Sequence, residues 1–226
     1  MISEHELHLQ VSPRSAIHGD LAVPEGARGL VVFAHGSGSS RLSPRNRQVA
    51  SFLRGRGLAT LLFDLLTDAE EAVDARTGQL RFDMDLLAVR LDLAVNAARE
   101  HAMTASLPVG LFGASTGAGA AVLTAARRPD RIAAVVSRGG RPDLAGAALD
   151  IVRAPTLLIV GGQDRAVLGL NEQAAARLRG VHELVIVPGA THLFEEPGAM
   201  DEVARLAGDW FSVHLDSAAA RQRAGS

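Results

Sequence analysis

Residues 113–117 read Gly-Ala-Ser-Thr-Gly and stand between an apolar run and a helical pattern. This G-x-S-x-G motif is typical of a nucleophile elbow, a tight strand-to-helix turn that lifts a serine hydroxyl above a sheet. Glycine at positions 113 and 117 removes side chains that would collide in the turn. We therefore predict that Ser115 is a nucleophile at a helix N-terminus, where developing negative charge is favoured. A glycine-rich turn that only permits close packing is the alternative.

Ser115 needs a base to take its proton and an acid to orient that base. Asp164 and His192 each follow an apolar run downstream of Ser115, in the order serine, acid, histidine that accompanies this elbow. We predict that the three residues form a catalytic triad. Singly, Asp164 could cap a helix and His192 could be an ordinary loop histidine. Asp143, which follows a different strand, is the alternative orienting acid.

Acyl transfer places negative charge on a carbonyl oxygen, so the site also needs hydrogen-bond donors for an oxyanion. The residue after the nucleophile supplies one backbone N–H, which here belongs to Thr116. The loop 35–40, His-Gly-Ser-Gly-Ser-Ser, is small enough to bring a second N–H close to a substrate. We predict that Ser37 supplies it, with Gly36 as a substitute. His35 is predicted to be a buried support for this loop rather than a second base.

The glycines at 113, 117 and 119 also resemble the cofactor loop of short-chain dehydrogenases. In that family the loop follows the first strand, whereas here it lies in the middle of the chain. Those enzymes also rely on a catalytic tyrosine, and this chain contains no tyrosine. Both differences favour the nucleophile elbow.

Short apolar runs alternate with helical patterns along most of the 226 residues. This alternation predicts an α/β fold, a mostly parallel central sheet flanked by helices with no separate lid domain. Strands are predicted at 7–11, 21–23, 30–34, 59–65, 108–112, 132–137, 155–160 and 183–187, and helices at 44–56, 83–102, 115–128, from near 168 and at about 200–213. We predict one domain over 1–216, a mobile surface loop at 67–80 and a frayed tail at 217–226.

Composition limits the partners and cofactors. The net charge is only −2, so nucleic acid and anionic membrane surfaces are not expected as partners. The chain has no cysteine, and the histidines nearest its start, His5 and His8, lack a supporting cluster, so no metal site is predicted. The first residues lack the pattern of a signal peptide and no apolar run approaches the ~20 residues that span a bilayer. A cytoplasmic protein without a cofactor is expected, and its oligomeric state stays open.

Three arginines follow strands at the expected site edge: Arg41, Arg138 and Arg141. One hypothesis is that one or more of them bind a carboxylate or phosphate of the substrate. The competing interpretation is that they pair with Asp64, Asp143 or Glu195 and hold loops in place. Of the two, we slightly favour the pairing.

Four motifs together resemble the α/β-hydrolase superfamily, in particular its dienelactone-hydrolase-like branch: Phe-Ala-His-Gly at 33–36, Gly-Ala-Ser-Thr-Gly at 113–117, Gly-Gly-Gln-Asp at 161–164 and Ala-Thr-His at 190–192. The stretches 36–41 and 137–143 are similar to hydrolase domains sometimes attached to phosphoribosyltransferases. The enzymes that name the branch use cysteine as nucleophile, whereas this chain has Ser115. The resemblance therefore implies the fold and the triad but not the lactone substrate.

These observations predict a serine hydrolase that cleaves carboxylic esters, or related acyl compounds, of small soluble molecules. An acyltransferase or perhydrolase with the same triad is an alternative, distinguished by the nucleophile that accepts the acyl group. A non-catalytic binding module that retains the fold is a second alternative. Whether the natural substrate is an ester, lactone, thioester or amide stays open.

Overall fold

The computed structural model describes residues 1–224. Its strands form one eight-stranded sheet in the order β1-β2-β4-β3-β5-β6-β7-β8. The strands are β1 Ile2–Ser12, β2 Ser15–Pro24, β3 Gly29–Ala34, β4 Leu58–Phe63, β5 Val109–Ala114, β6 Ile132–Arg138, β7 Thr156–Gly161 and β8 His182–Val187. β1 and β2 pair antiparallel with each other and β2 pairs antiparallel with β4, while all other pairs are parallel. The predicted, mostly parallel sheet is confirmed.

Helices cover both faces of this sheet. They are α1 Pro44–Gly55, α2 Asp68–Thr77, α3 Met84–Glu100, α4 Thr116–Arg127, α5 Arg165–Arg177 and α6 Ala199–Ala224, with short 3-10 segments at Leu80–Phe82 and Pro142–Asp150. None of these described helices combines the length and the apolar character that crossing a lipid bilayer requires.

Strand β3 contributes side chains to two hydrophobic cores, one on each face of the sheet. All of its residues are buried, and their side chains alternate between the faces of the sheet. Leu30 and Val32 join the core under α3 and α4, whereas Val31 and Phe33 join the core under α1 and α6. A strand buried on both faces must be apolar throughout, which is why the run 30–34 carries no polar residue.

The segment 67–80 is not the mobile loop that its polarity predicts, because residues 68–77 form α2. Thr67 and Glu70 make a capping box, in which the Glu70 N–H donates to Thr67 Oγ1 at 3.3 Å and the Thr67 N–H donates to Glu70 Oε2 at 2.8 Å. Gly78 ends the helix in the left-handed region at φ 66°. A threonine followed three residues later by a glutamate is typical of a helix N-terminus, although the polar composition of the segment favoured a loop.

Helix α6 runs to Ala224, so residues 217–224 are helical where the sequence predicts a frayed tail. Leu215 is buried against the core under α1 and α6 and anchors the last turns. Ala218 is also buried, and the alanine-rich composition beyond it favours helix. The last two residues of the predicted tail, 225 and 226, lie outside the described residues.

Candidate active site

The elbow at Ser115 has the geometry that the motif predicts. β5 ends at Ala114 and α4 begins at Thr116, and Ser115 between them has φ 50° and ψ −122°. A Cβ atom at position 113 would lie 2.6 Å from the Gly117 carbonyl oxygen, and one at position 117 would lie 2.6 Å from the His35 carbonyl oxygen. Glycine is therefore required at both positions, because other backbone segments pass too close for a side chain. Ser115 in turn adopts a strained, positive φ angle.

Backbone hydrogen bonds fix this elbow against the end of β6. The Ser115 N–H donates to the Arg138 carbonyl at 3.3 Å, and the Arg141 N–H donates to the Ser115 carbonyl at 2.9 Å. The Ser115 hydroxyl takes no part in this frame, and within residues 1–224 it makes no hydrogen bond. Backbone hydrogen bonds alone therefore position Ser115.

His192 and Asp164 meet at the neighbouring strand ends. His192 Nδ1 lies 2.6 Å from Asp164 Oδ2, with the side chain of Asp164 largely buried and that of His192 partly exposed. Their loops are joined by a bond from the Gln163 N–H to the Ala190 carbonyl at 2.9 Å. A Cβ atom at position 161 would lie 2.6 Å from the Thr191 carbonyl, so glycine there is needed for the two loops to touch.

The structure separates the two candidate acids. The Arg141 guanidinium holds Asp143 through three bonds, Nε to Oδ1 at 2.9 Å, Nε to Oδ2 at 3.2 Å and Nη2 to Oδ2 at 2.8 Å. Asp164, and not Asp143, therefore faces the histidine. The loop that carries His192 also lies close to the end of β6, because a Cβ at Gly139 would be 3.6 Å from His192 Nδ1.

The loop after β3 lies directly beside the elbow. The Ser37 and Thr116 hydroxyl oxygens are 3.1 Å apart, within hydrogen-bond distance. A Cβ atom at Gly36 would lie 3.0 Å from the Ser115 Cβ, so a side chain there would crowd the serine. The predicted donors Ser37 and Thr116 are thus neighbours, and the loop that carries Ser37 lies against Ser115 at Gly36.

His35 is a buried support for this loop, as predicted. Its Nε2 accepts the Leu65 N–H at 3.0 Å, which leaves Nδ1 as the protonated nitrogen that donates to the Gly36 carbonyl at 2.9 Å. Burial lowers the pKa of His35 below its ordinary value. A neutral ring with both nitrogens engaged positions the loop and has no capacity to act as a base.

Two of the three arginines follow the pairing interpretation. Arg41 donates to Asp64 at 2.5 Å and reaches Asp20 at 3.4 Å, and Arg141 is engaged by Asp143. Arg138 differs, because its side chain is buried, lies 5.9 Å from the Phe194 ring centroid and reaches Asn46 at 3.4 Å. Burial, together with the nearby charge of Arg45, lowers the pKa of Arg138 to about 10. The partner of Glu195 is Arg45, not one of the three.

A narrow cleft, with a volume of only about 10 Å³, opens beside Ser37 and Thr116. Its apolar wall consists of Leu65, Leu66 and Leu87, and its charged residues are Glu71, Asp74 and Arg81. Asp74 is buried and bonded to Arg81 at 2.7 Å, whereas Glu71 makes no ion pair within the described chain. Glu71 also lines the larger neighbouring cleft that leads past Ser39 and Arg41. Glu71 was not predicted from the sequence, because the polar stretch 67–80 predicted a loop there.

The arrangement of sheet, elbow and strand-end loops is that of the α/β-hydrolase fold. The chain belongs to the dienelactone hydrolase family, whose model matches residues 17–220. A dienelactone hydrolase structure from Anabaena variabilis is 55% identical and superposes with a TM-score of 0.91, covering 95% of this chain and 99% of that one. At 15% identity, the structure of Est1E from Butyrivibrio proteoclasticus shares the fold, with a TM-score of 0.77 over 93% of this chain and 98% of that one.

A relative from Mycobacterium tuberculosis is 60% identical over 199 residues. It carries the name of a phosphoribosyl transferase. The match covers 88% of this chain but only 44% of the relative, so this chain spans less than half of that protein's length.

Proposed function

We propose that this protein is a serine hydrolase that cleaves small carboxylic esters through an acyl-enzyme on Ser115. The observation that carries the proposal is the 2.6 Å contact between His192 Nδ1 and Asp164 Oδ2, next to a serine held on a strained elbow. Membership of a hydrolase family supports the reaction class. Because the chain has no cysteine, the proposed nucleophile at the elbow is the serine.

In the proposed first step, Ser115 Oγ attacks the ester carbonyl carbon while His192 Nε2 takes the hydroxyl proton. Asp164 accepts a hydrogen bond from Nδ1–H, which fixes the tautomer that leaves Nε2 free to act as base. Negative charge develops on the carbonyl oxygen, and the N–H groups of Ser37 and Thr116 are proposed to bind it. The N-terminus of α4 adds a favourable dipole at the same point.

Collapse of this tetrahedral intermediate breaks the bond to the alcohol oxygen, which takes the proton back from His192. Ser115 then carries the acyl group as an ester. Water attacks that ester with His192 again as base, and the carboxylic acid and free serine are released. Every proton is transferred between Ser115, His192, water and substrate, so this cycle uses no cofactor.

The charges around the cleft beside Ser37 support a substrate that carries no negative charge. Three leucines line one side of this cleft, and two arginines near the site are already paired with carboxylates. Among the charged residues that line this cleft, Glu71 is the one whose carboxylate has no ion-pair partner in the described chain. A neutral or cationic ester therefore suits the cleft better than an anionic one.

Phosphoribosyl transfer is not proposed for this chain. The relatives with that name are more than twice as long as the segment matched here. The groups gathered around Ser115 are those of acyl transfer, and they lie wholly within this chain.

Labelling with a fluorophosphonate tests the nucleophile without a known substrate, because the probe phosphonylates only activated serines. We expect the wild type to be labelled and Ser115→Ala to be unlabelled. Ser51→Ala, an exposed serine on α1, is the matched control and should label like the wild type. Labelling that survives in Ser115→Ala, or folded wild type that does not label, would reject the proposal and favour a binding module.

Water as acyl acceptor is tested with p-nitrophenyl acetate. Release of p-nitrophenol and of acetate should match one to one in the wild type. If an added alcohol or hydrogen peroxide captured most of the acyl group at millimolar concentration, the acyltransferase or perhydrolase alternative would replace hydrolysis.

A further inference from the structure

Two histidines face each other across the hairpin formed by β1 and β2. In the antiparallel register His8 is directly opposite His18, and Glu6 is opposite Asp20. Glu6 and His8 are two residues apart on β1, so their side chains leave the same face of the strand. The register therefore collects Glu6, His8 and His18 on one face of the hairpin.

The potential ligand atoms of these three side chains all lie within 4.8 Å of one another. The His8 and His18 rings are 4.9 Å apart between centroids, and His18 Nδ1 lies 3.5 Å from Glu6 Oε1. That contact does not meet hydrogen-bond geometry, and His18 Nδ1 is buried without a hydrogen-bond partner in the described chain. An ion bound between the two groups would satisfy a buried ring nitrogen that lacks a hydrogen-bond partner and faces a carboxylate.

The 3.5 Å separation matches a shared metal ion. Two ligands on a tetrahedral zinc ion with bonds of ~2.1 Å lie about 3.4 Å apart. His8 is exposed, so its side chain has the freedom to close the remaining distance. We propose that Glu6, His8 and His18 form a zinc site, with water completing the tetrahedron.

Ligand chemistry and surrounding charge both favour zinc. Imidazole nitrogen and carboxylate oxygen are ordinary zinc ligands, and calcium or magnesium would require mostly oxygen. Asp20, the next carboxylate on this face, is held by Arg41 at 3.4 Å and Arg47 at 3.2 Å and is not counted as a ligand. No cluster around His8 was predicted from the sequence, because His18 comes next to it only through strand pairing.

The site is distinct from the catalytic one. β2 is separated from β5 by β4 and β3, a distance of about 14 Å at ordinary strand spacing. Zinc would cross-link the edge strand β1 to β2. The His18 carbonyl also accepts the Asp64 N–H at 2.9 Å, so the cross-link would hold the strand next to β4.

The test uses the whole protein, freed of metal with a chelator and titrated with zinc chloride in a calorimeter. We expect one zinc ion per chain in the wild type. His8→Ala and His18→Ala should each weaken binding by about tenfold or more, since even residues outside the ligand set cost 10- to 100-fold. Glu6→Gln, which keeps the shape of the side chain, should also weaken it. Circular dichroism spectra establish that each variant is folded.

His5→Ala is the matched control, because His5 lies on the same strand but its ring packs against His101. It should bind zinc like the wild type. Absence of zinc binding by the wild type would overturn the proposal. So would equal binding by His8→Ala and His18→Ala, and so would binding that is lost only in His192→Ala, which would place the ion at the triad.

Discussion

His192 turns its Nδ1 atom toward Asp164, with 2.6 Å between Nδ1 and Oδ2, while Asp143 is taken by the guanidinium of Arg141. The two acids were the competing candidates for orienting the histidine, and both follow strands of the same sheet. The structure separates them because an arginine two residues from Asp143 satisfies its carboxylate locally. Asp164 has no such partner and is free to accept the imidazole N–H.

Asp164→Asn should therefore lower kcat for p-nitrophenyl acetate by about 10³- to 10⁴-fold, with little change in KM. The amide offers an N–H to Nδ1 and favours the tautomer in which Nε2 cannot accept the serine proton. Steady-state kinetics and fluorophosphonate labelling rates measure the loss. Asp143→Asn is the control and should keep kcat within about threefold of wild type. A larger loss in Asp143→Asn than in Asp164→Asn would exchange their roles.

The unpaired carboxylate of Glu71 should set the charge preference of the cleft. Glu71→Gln should raise kcat/KM for an ester with an anionic acyl group by about fivefold relative to its neutral analogue, corresponding to about 1 kcal/mol of relieved repulsion. The measurement is the ratio of kcat/KM for the two esters in each variant. Asp130→Asn changes the net charge equally at an exposed position away from the cleft, and its ratio should match the wild type. Equal ratios in all three proteins would show that Glu71 does not face the substrate.

The elbow should tolerate no side chain at position 117. Gly117→Ala would place a Cβ 2.6 Å from the His35 carbonyl oxygen, a backbone atom that cannot turn away. We expect the free energy of unfolding to fall by about 3 kcal/mol or more and labelling of Ser115 to slow. Gly169→Ala, inside α5 with no atom within 4 Å of the new Cβ, should instead raise stability by about 0.4–1 kcal/mol. Urea denaturation compares the two, and similar effects would refute the steric account.

The neutral, buried His35 should make stability dependent on pH. Burial lowers the pKa of His35 in the folded state below its ordinary value of 6.5. The unfolded state then binds the extra proton, so the folded state loses stability as the pH falls below about 6.5. In His35→Gln the loss between pH 7.5 and pH 5.5 should be smaller by about 1 kcal/mol, measured by urea denaturation at each pH.

His214 also has a pKa lowered by burial and by Arg221, and it contributes equally to wild type and variant. It therefore cancels in the comparison. An identical pH dependence in both proteins would mean that His35 carries a proton in the folded state.

The sequence predicted the elbow because its signals are local. A strained serine between two glycines, a strand before it and a helix after it all fall within a few residues. His192 and Asp164 were placed beside each other by a rule of topology, since parallel strands end at one edge of the sheet. Side-chain geometry was not needed for either prediction.

Other features depend on distances that no local pattern contains. Arg41 pairs with Asp64 and Asp20, residues that lie on different segments of the chain. Sequence spacing does not tell whether these carboxylates or a substrate bind the arginine. His18 lies opposite His8 only because β1 and β2 pair in one particular register. The spacing of Thr67 and Glu70 indicates the start of helix α2, but the polar composition of the segment led to the prediction of a loop.

The wall that carries Glu71 is held by its own caps and by one ion pair to α3, from Arg90 Nη2 to Glu70 Oε1 at 2.6 Å. Helix α2 is capped at one end by Thr67 and Glu70 and at the other by Gly78, and Asp74 ties it to Arg81 just beyond. These bonds lie between β4 and α3, and the hydrogen-bonded frame of the elbow does not include them. Provided that Glu70 is kept for its pairing with Arg90, substitutions in this segment can alter substrate preference while the catalytic frame stays untouched.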